Sequence, residues 1–209
     1  MKVLLIIAIS LLVLFVLLQF YVMMLTSKTE SQSYEVILAE KEFEVRFYPP
    51  AVMAKIFSTS KSYSDLGSSG FGKLAKYIFG GNHENKQIAM TSPVHMDIGD
   101  TISTMSFVMP YSFKKEDLPK PNNSEIQLQT MEQEYVAVIQ FGGFANTSSI
   151  NKHKAQLKQL LDKRGISYFG NFRFLGYNPP YQLFGRRNEV IVSLNPNEFS
   201  HDFSKNMTN

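Results

Sequence analysis

Two short segments place side chains capable of acid, base or nucleophilic chemistry beside apolar runs. Thr91 and Ser92 lie within residues 88–94, and Glu189 follows two arginines within residues 186–190. Hydroxyls act as nucleophiles when a base activates them, and a carboxylate can transfer protons. No base is recognisable beside the hydroxyls, and the arginines favour an ion pair for the carboxylate. We therefore interpret Thr91 and Ser92 as hydrogen-bonding residues of a turn, and Glu189 as part of a structural cluster that ties the last strand to its neighbours.

The sequence carries no complete signature of a catalytic class. It lacks the Gly-x-Ser-x-Gly motif of a nucleophile elbow, and His83-Glu84 lacks the second histidine of a zinc-protease helix. The glycine-rich residues 67–72 are not followed by the Lys-Ser/Thr of a phosphate-binding loop. The chain has no cysteine, which excludes thiolate catalysis and disulfides. We expect a binding protein and not an enzyme.

Of the four histidines in the chain, His153 is the candidate for a metal ligand. It shares the apolar face of a predicted helix with Ile150 and Leu157, where a packed or capping histidine is the more common occupant. It is therefore a weak candidate. The other three lie in a predicted loop, at a strand end and in the C-terminal tail (His83, His95 and His201).

Residues 1–27 are predicted to be a transmembrane anchor. No residue from 3 to 25 is charged, and Ser10 and Gln19 are the polar ones. As a helix this stretch would be roughly 34 Å long, enough to cross a hydrocarbon core of about 30 Å. A cleavable signal peptide is the alternative, but its apolar run is usually about 7–15 residues and ends at a small-residue site, which is missing here. The very short N-terminal tail places Met1 in the cytoplasm and the folded domain outside it, in the periplasm if the cell is bacterial.

Charge and length describe one nearly neutral domain after the anchor. Without Lys2, the 21 basic residues become 20, against 18 acidic ones. This balance gives no reason to expect a nucleic-acid partner. We predict a linker at 28–33, a single domain at 34–198 and a disordered tail at 199–209.

Alternating apolar and polar residues predict nine strands in two groups. The first group lies at 34–39, 42–48, 52–58, 87–97 and 104–109, and the second at 125–131, 135–141, 172–177 and 188–194.

Each group is interrupted by a predicted helix. The first is capped by Ser69 and ends at residues 80–82, and its glycines lower its helix propensity, so packing must hold it. The second runs from about 149 to 164, with Thr147 or Ser148 as its cap and Gly165 closing it. Apolar residues recur at helical spacing in both (Phe71, Leu74, Ala75 and Ile78; Ile150, Leu157, Leu160 and Leu161).

The order strands, helix, strands therefore occurs twice. Two such halves predict an α+β domain with pseudo-twofold repeated halves. Its two helices would pack on a curved sheet or distorted β-barrel that is largely antiparallel.

Six short motifs follow one another along this domain. They are Phe71-x-x-Leu74-x-x-Tyr77-Ile78 with Gly-Gly-Asn after it, Ile88-Ala-Met-Thr-Ser-Pro-Val94, Phe107-x-Met-Pro110, Phe141-Gly-Gly-Phe144, Tyr177-Asn178-Pro179-Pro180 and Arg186-Arg-Asn-Glu-Val190. In this order and spacing they resemble the SOUL haem-binding family, over nearly the entire domain. A single short motif would be weak evidence, but six in sequence are hard to obtain by chance.

The resemblance implies a tetrapyrrole ligand, haem or another porphyrin, bound in an apolar groove between the first helix and a late loop between strands. Carried over, the groove is lined by Phe71, Leu74, Ala75 and Ile78 on the helix and by Tyr177, Asn178 and Pro179 in the loop, with Arg186, Lys73 or Lys76 as a cation at the rim. A flat apolar ring with two carboxylates suits such walls and such a cation. The alternative for the helical stripe is that it simply buries the helix on the sheet.

The resemblance does not extend to an iron ligand. The strand at residues 45–49, where some family members have been proposed to carry a ligating histidine, contains none. The expectation is reversible binding driven by the groove, which would accept other tetrapyrroles equally well.

Two other functions remain open. The predicted architecture also resembles effector-binding domains related to gyrase-inhibitory proteins, some relatives of which are hydrolases, which would make this a module for another small molecule. The third possibility is a protein-interaction role in which the groove holds a peptide helix.

Overall fold

The computed structural model describes residues 1–199, which form a long N-terminal helix followed by a folded domain. Helix α1 (Lys2–Ser27) is long and apolar enough to cross a membrane, a test that a signal sequence also passes. Most of its surface is exposed, so the apolar side chains are available to a lipid environment.

Within residues 1–199, nine strands form one curled half-barrel sheet. Its order is β1-β2-β7-β9-β8-β4-β5-β3-β6, and every paired neighbour is antiparallel. The strands are β1 (Glu35–Ala39), β2 (Glu44–Tyr48), β3 (Ala51–Ser58), β4 (Val94–Asp97), β5 (Ser103–Val108), β6 (Gln127–Met131), β7 (Glu134–Phe141), β8 (Tyr168–Gly176) and β9 (Asn188–Leu194).

The sheet order confirms the repeated halves. Apart from the edge strand β1, the sheet consists of two sets of four strands, and the order β2-β7-β9-β8 mirrors β6-β3-β5-β4. The halves meet where β4 pairs with β8. Helix α2 (Tyr63–Ile78) packs on β3 and β5, and α3 (Thr147–Arg164) packs on their counterparts β7 and β9. The predicted α+β class is thus confirmed.

Helix α2 begins seven residues earlier than predicted. Its N-cap is Ser62, whose hydroxyl accepts a hydrogen bond from the backbone N–H of Asp65, so the prediction of Ser69 as the cap was wrong. Gly70 of α2 serves close packing, because a Cβ there would lie 2.7 Å from Cδ1 of Ile56 on β3. Packing therefore holds this helix, as its low propensity required.

Helix α3 ends as predicted but begins with a different cap. Asn146, rather than Thr147 or Ser148, accepts from the backbone N–H of Ser149, and the Ser149 side chain completes a capping box. Gly165 closes the helix in the left-handed conformation at φ 68°.

The two faces of the sheet bury different kinds of residue. The face under the helices carries the large apolar core, which includes Leu74, Phe107 and Leu157. The opposite face of β2, β7, β9 and β8 holds a smaller cluster of five buried residues (Tyr48, Val136, Val138, Leu175 and Ile191). Buried charged residues lie on this second face because strand side chains alternate between faces.

The segment at 87–93 is not a strand, although 94–97 is. Instead Ser92 pairs with residues 30–32, since its N–H donates to the Glu30 carbonyl and its carbonyl accepts from the Gln32 N–H. Thr91 donates its hydroxyl to the Val108 carbonyl at 2.6 Å, a structural role like the one predicted. The predicted linker 28–33 is therefore fastened to the domain.

At the C-terminus, Pro196–Phe199 forms a helical turn, α4, and Phe199 stacks on Tyr135 with ring centroids 6.2 Å apart. The remainder of the predicted tail, 200–209, lies outside the described residues. So does His201.

Candidate ligand-binding site

A buried cluster of charges surrounds Glu189, which is fully buried at the start of β9. Its carboxylate accepts hydrogen bonds from Arg46 at 3.0 and 3.1 Å, from Arg187 at 2.6 and 3.0 Å, and from the Tyr177 hydroxyl at 2.8 Å. Arg46 lies on β2 and is itself buried. The carboxylate is thus held by two cations and a hydroxyl, an arrangement that binds strand β9 to β2 and leaves it unsuited to proton abstraction.

The pKa values of this cluster follow from burial and from the carboxylate. Burial alone would lower the pKa of Arg46 and of Arg187, but Glu189 raises both above the ordinary arginine value. Burial and the same carboxylate raise the pKa of Tyr177. All three groups therefore keep their protons at any physiological pH.

Arg186 organises the loop between β8 and β9. Its guanidinium donates to the backbone carbonyls of Asn178, Pro179 and Gln182 at 3.3, 2.7 and 2.6 Å, and lies 4.4 Å from the ring centre of Phe144. Burial lowers its pKa. Much of its donor capacity is used in holding the loop, while the predicted role at the rim of a groove remains a prediction.

The stripe predicted on the first helix divides into exposed and buried members. Phe71 is 39 % exposed and packs edge-on against Phe107, with centroids 5.2 Å apart, and Ala75 is half-buried. Leu74 and Ile78 are 0 % and 1 % exposed and belong to the main core. In this conformation only Phe71 and Ala75 can meet a ligand.

The two parts of the predicted groove lie at one end of the sheet. Phe107, beneath Phe71, pairs with Val94, which in turn pairs with Gly176 just before the loop. At about 4.8 Å per strand, Phe107 and Gly176 are roughly 10 Å apart. The Tyr177 ring, however, packs on the opposite face of the sheet from α2. Asn178 and Pro179 are half-buried in the loop that follows.

His153 is placed as a packed histidine. Its ring stacks on Phe141 with centroids 4.0 Å apart and an 8° angle, and its Nδ1 bonds the Ser149 carbonyl at 2.7 Å. Among residues 1–199, no group of three or more His, Cys, Asp or Glu side chains is placed to hold a metal ion.

His95 has a role that the sequence did not reveal. It is buried on β4, and because the Oε1 of Gln32 can only accept, the Nε2–H of His95 donates to it at 2.8 Å. Burial, together with Arg173 and Lys55, lowers the pKa of His95 to about 3. It is neutral at physiological pH and fastens the segment before β1 to the sheet.

A separate open cleft of about 730 Å³ lies between residues 30–33, the turn at 49–50 and residues 108–116. Its volume lies in the range of small-molecule sites, about 300–1,000 Å³. Tyr111, Lys114 and Lys115 line it, but none of the predicted site residues does. Sequence reasoning missed it because its walls come from segments far apart along the chain.

Comparison with known proteins identifies relatives of the domain. A family model described as SOUL heme-binding protein matches residues 29–193. Heme-binding protein 1 of Xenopus laevis is 31 % identical over 156 residues, which cover 71 % of this chain and 81 % of the relative. Heme-binding protein 2 of Homo sapiens is 29 % identical over 156 residues, covering 71 % and 76 %.

Solved structures of similar fold are distant in sequence. The EcmrR C-terminal domain is superposed with a TM-score of 0.56 at 10 % identity, covering 78 % of this chain and 98 % of that one. A hydrolase from Listeria innocua gives 0.54 at 10 % identity, covering 76 % and 94 %. At such identities the likeness concerns the fold alone.

Proposed function

The chain belongs to the SOUL heme-binding protein family, and from this premise we propose that its domain binds haem or a related tetrapyrrole reversibly. Family membership is the observation that carries the proposal. The relatives are named as binding proteins, in keeping with the ion-paired state of Glu189.

We place the ligand at the end of the sheet between α2 and the β8–β9 loop. The exposed ring of Phe71 and the half-buried Ala75 offer an apolar wall, supported from below by Phe107, and Asn178 and Pro179 lie on the loop side of the groove. Leu74 and Ile78 remain in the core below. Exposed aromatic surface suits the apolar plate of such a ring, and Arg186 is the proposed cation at the rim.

The residues present do not fit strong axial ligation of iron. The residues proposed to line the groove include no His, Met, Tyr or Cys (Phe71, Ala75, Asn178 and Pro179). His153 packs on Phe141, and His95 is buried. Binding then depends on contact between the ring system and the groove, with iron supplying no more than a weakly held site.

We further propose that α1 anchors the domain in a membrane, with the domain outside the cytoplasm. Its length and apolar composition support anchoring.

The test is a titration of haemin and of protoporphyrin IX into the full chain in detergent, followed by absorption with micelles alone as the blank. We expect both to bind at micromolar concentration with similar affinity, and His153→Ala to leave the spectra unchanged. Failure of both to bind would overturn the proposal. Binding of haemin alone, lost in His153→Ala, would assign His153 to the iron.

Two charge substitutions locate the site. Phe71→Glu places a carboxylate on the proposed wall and should weaken binding about tenfold or more, because the ring would bury that charge. Tyr111→Glu, in the cleft at 30–33 and 108–116, is the matched control and should leave affinity unchanged. If Tyr111→Glu weakened binding and Phe71→Glu did not, the ligand would bind in the cleft instead.

A further inference from the structure

The loop between β8 and β9 contacts the N-terminal helix. Gln19 is the one buried residue of α1, and its amide donates to the Tyr181 carbonyl at 3.3 Å and accepts from the Leu183 N–H at 3.0 Å. Nearby, a Cβ on Gly185 would lie 3.2 Å from Cε of Met23. The loop and the helix are thus in direct contact over sequence separations of more than 160 residues.

The contact uses one face of α1. Four residues within 2–27 are buried or half-buried (Gln19, Val22, Met23 and Thr26). They recur at i, i+3, i+4 and i+7. This is the spacing of a single helical face. The remainder of the helix surface is free for lipid.

The position of Gln19 along α1 sets the depth of the loop. Because the charged Lys2 stays outside the hydrocarbon, a core of about 30 Å counted from Val3 at 1.5 Å per residue ends near Val22 for an upright helix. Tilt moves this boundary further along the chain. The backbone of Gln19 therefore lies at least roughly 4 Å inside it, and the backbone atoms of Tyr181 and Leu183 that its side chain bonds lie close to this boundary.

The backbone of the loop is suited to an apolar layer. Unpaired carbonyl and N–H groups are costly there. Side chains donate hydrogen bonds to most of its carbonyls. Arg186 donates to those of residues 178, 179 and 182, Gln19 donates to that of 181, and Gln182 donates to those of 184 and 185. Residues 179 and 180 are prolines and have no N–H to satisfy.

The side chains on the outer surface of this loop are large and apolar. Tyr181, Leu183 and Phe184 are 64 %, 39 % and 57 % exposed. Phe144, beside Arg186, is also exposed. Aromatic side chains are enriched where a protein meets the membrane interface. Exposure of this apolar cluster to water is unfavourable, whereas its burial in the interfacial layer is favourable.

We infer that residues 178–185 lie in the interfacial layer of the membrane that α1 spans, with Tyr181, Leu183 and Phe184 in contact with lipid. The inference rests on the membrane anchoring of the proposed function. It gives the candidate groove a lipid-facing side, since residues 178 and 179 belong both to the groove and to this loop.

The absence of cysteine allows the depth of single residues to be measured. A fluorophore on Phe184→Cys, attached in detergent before the full chain is reconstituted in phosphatidylcholine vesicles, should be quenched by nitroxide on the lipid acyl chains. Leu11→Cys, in the middle of α1, is the positive control. Ile102→Cys, exposed in the connection between β4 and β5 at the opposite end of these strands from Gly176, is the matched negative control and should be quenched several-fold less.

Quenching at 11 with no more quenching at 184 than at 102 would overturn the inference and leave the anchoring intact. No quenching at 11 would overturn both. Neither result bears on the haemin titration in detergent, so failure of tetrapyrrole binding is recognised separately.

Discussion

At the scale of single residues, Glu189 is the most constrained carboxylate in the domain. Its two oxygens accept from Arg46, Arg187 and Tyr177, all held in one buried cluster between β2 and β9. A buried charge without its counter-charge is strongly unfavourable, while an intact buried pair adds little net stability. The cluster is therefore sensitive to the loss of a single member.

Glu189→Gln should lower the free energy of unfolding by about 3–5 kcal/mol, because it leaves Arg46 buried beside a neutral amide. Thermal unfolding of the full chain in detergent, followed by circular dichroism, would measure the loss. The matched control is Glu44→Gln, which removes the 37 % exposed partner of the same arginine and should cost about 1 kcal/mol or less. Equal effects of the two substitutions would contradict a special role for Glu189.

His95 makes stability depend on pH. Its pKa is about 3 in the folded protein, well below its usual value near 6.5. Below pH 6.5, His95 therefore binds a proton in the unfolded chain but stays neutral in the folded protein. The contribution of His95 to stability is complete above pH 6.5 and should fall by roughly 1 kcal/mol per pH unit between 6.5 and 3.

His95→Gln should remove this part of the pH dependence, because an amide does not titrate in that window. Unfolding midpoints measured at pH 7.5 and 5.0 would test it. The variant should lose less stability than the unaltered chain on going to pH 5.0. A pH dependence that survives unchanged would show that His95 is protonated in the fold.

At the scale of elements, the same loop is held from two sides, by Arg186 within the domain and by Gln19 on α1. Gln19→Leu keeps α1 apolar but removes both bonds to the loop. We expect faster motion of a nitroxide on Phe184→Cys in this background, seen as narrower electron spin resonance lines. Ser10→Leu, which also removes a polar group but from an exposed position of α1, should leave the lines unchanged.

Local patterns predicted these elements well where one face is buried and poorly where distant contacts decide. Strand β9 (Asn188–Leu194) was predicted to the residue, since its apolar run is bounded by polar residues. The start of α2 was missed because Gly67 and Gly70 suggest a break, and only the close approach of the helix to Ile56 shows why a glycine is favoured at position 70. Residues 87–93 carry the composition of a strand, yet they pair only at isolated bridges, Gln87 with Phe79 and Ser92 with Ser31.

At the scale of the whole molecule, the candidate site depends on contacts that no local pattern contains. The apolar stripe of α2 was visible in the sequence, but not that Leu74 and Ile78 are buried while Phe71 is exposed. Arg46 and Glu189 meet across 143 positions, and Gln19 meets Leu183 across 164. Periodicity reports which residues share a face of one element, whereas these pairings depend on how the sheet curls.

The short segment after α1 is not a flexible linker. Helix α1 ends at Ser27, residues 30–32 are already paired with Ser92, and the Glu30 carboxylate accepts from the Tyr111 N–H at 2.6 Å. With so few unpaired residues between them, the helix and the domain have a fixed relative height and tilt. A flexible linker lets a domain sample a volume that grows with the length of the linker. If α1 spans a membrane as proposed, the domain would instead present its loop at one depth, and its encounters with a molecule dissolved in the bilayer would be governed by lateral diffusion in two dimensions.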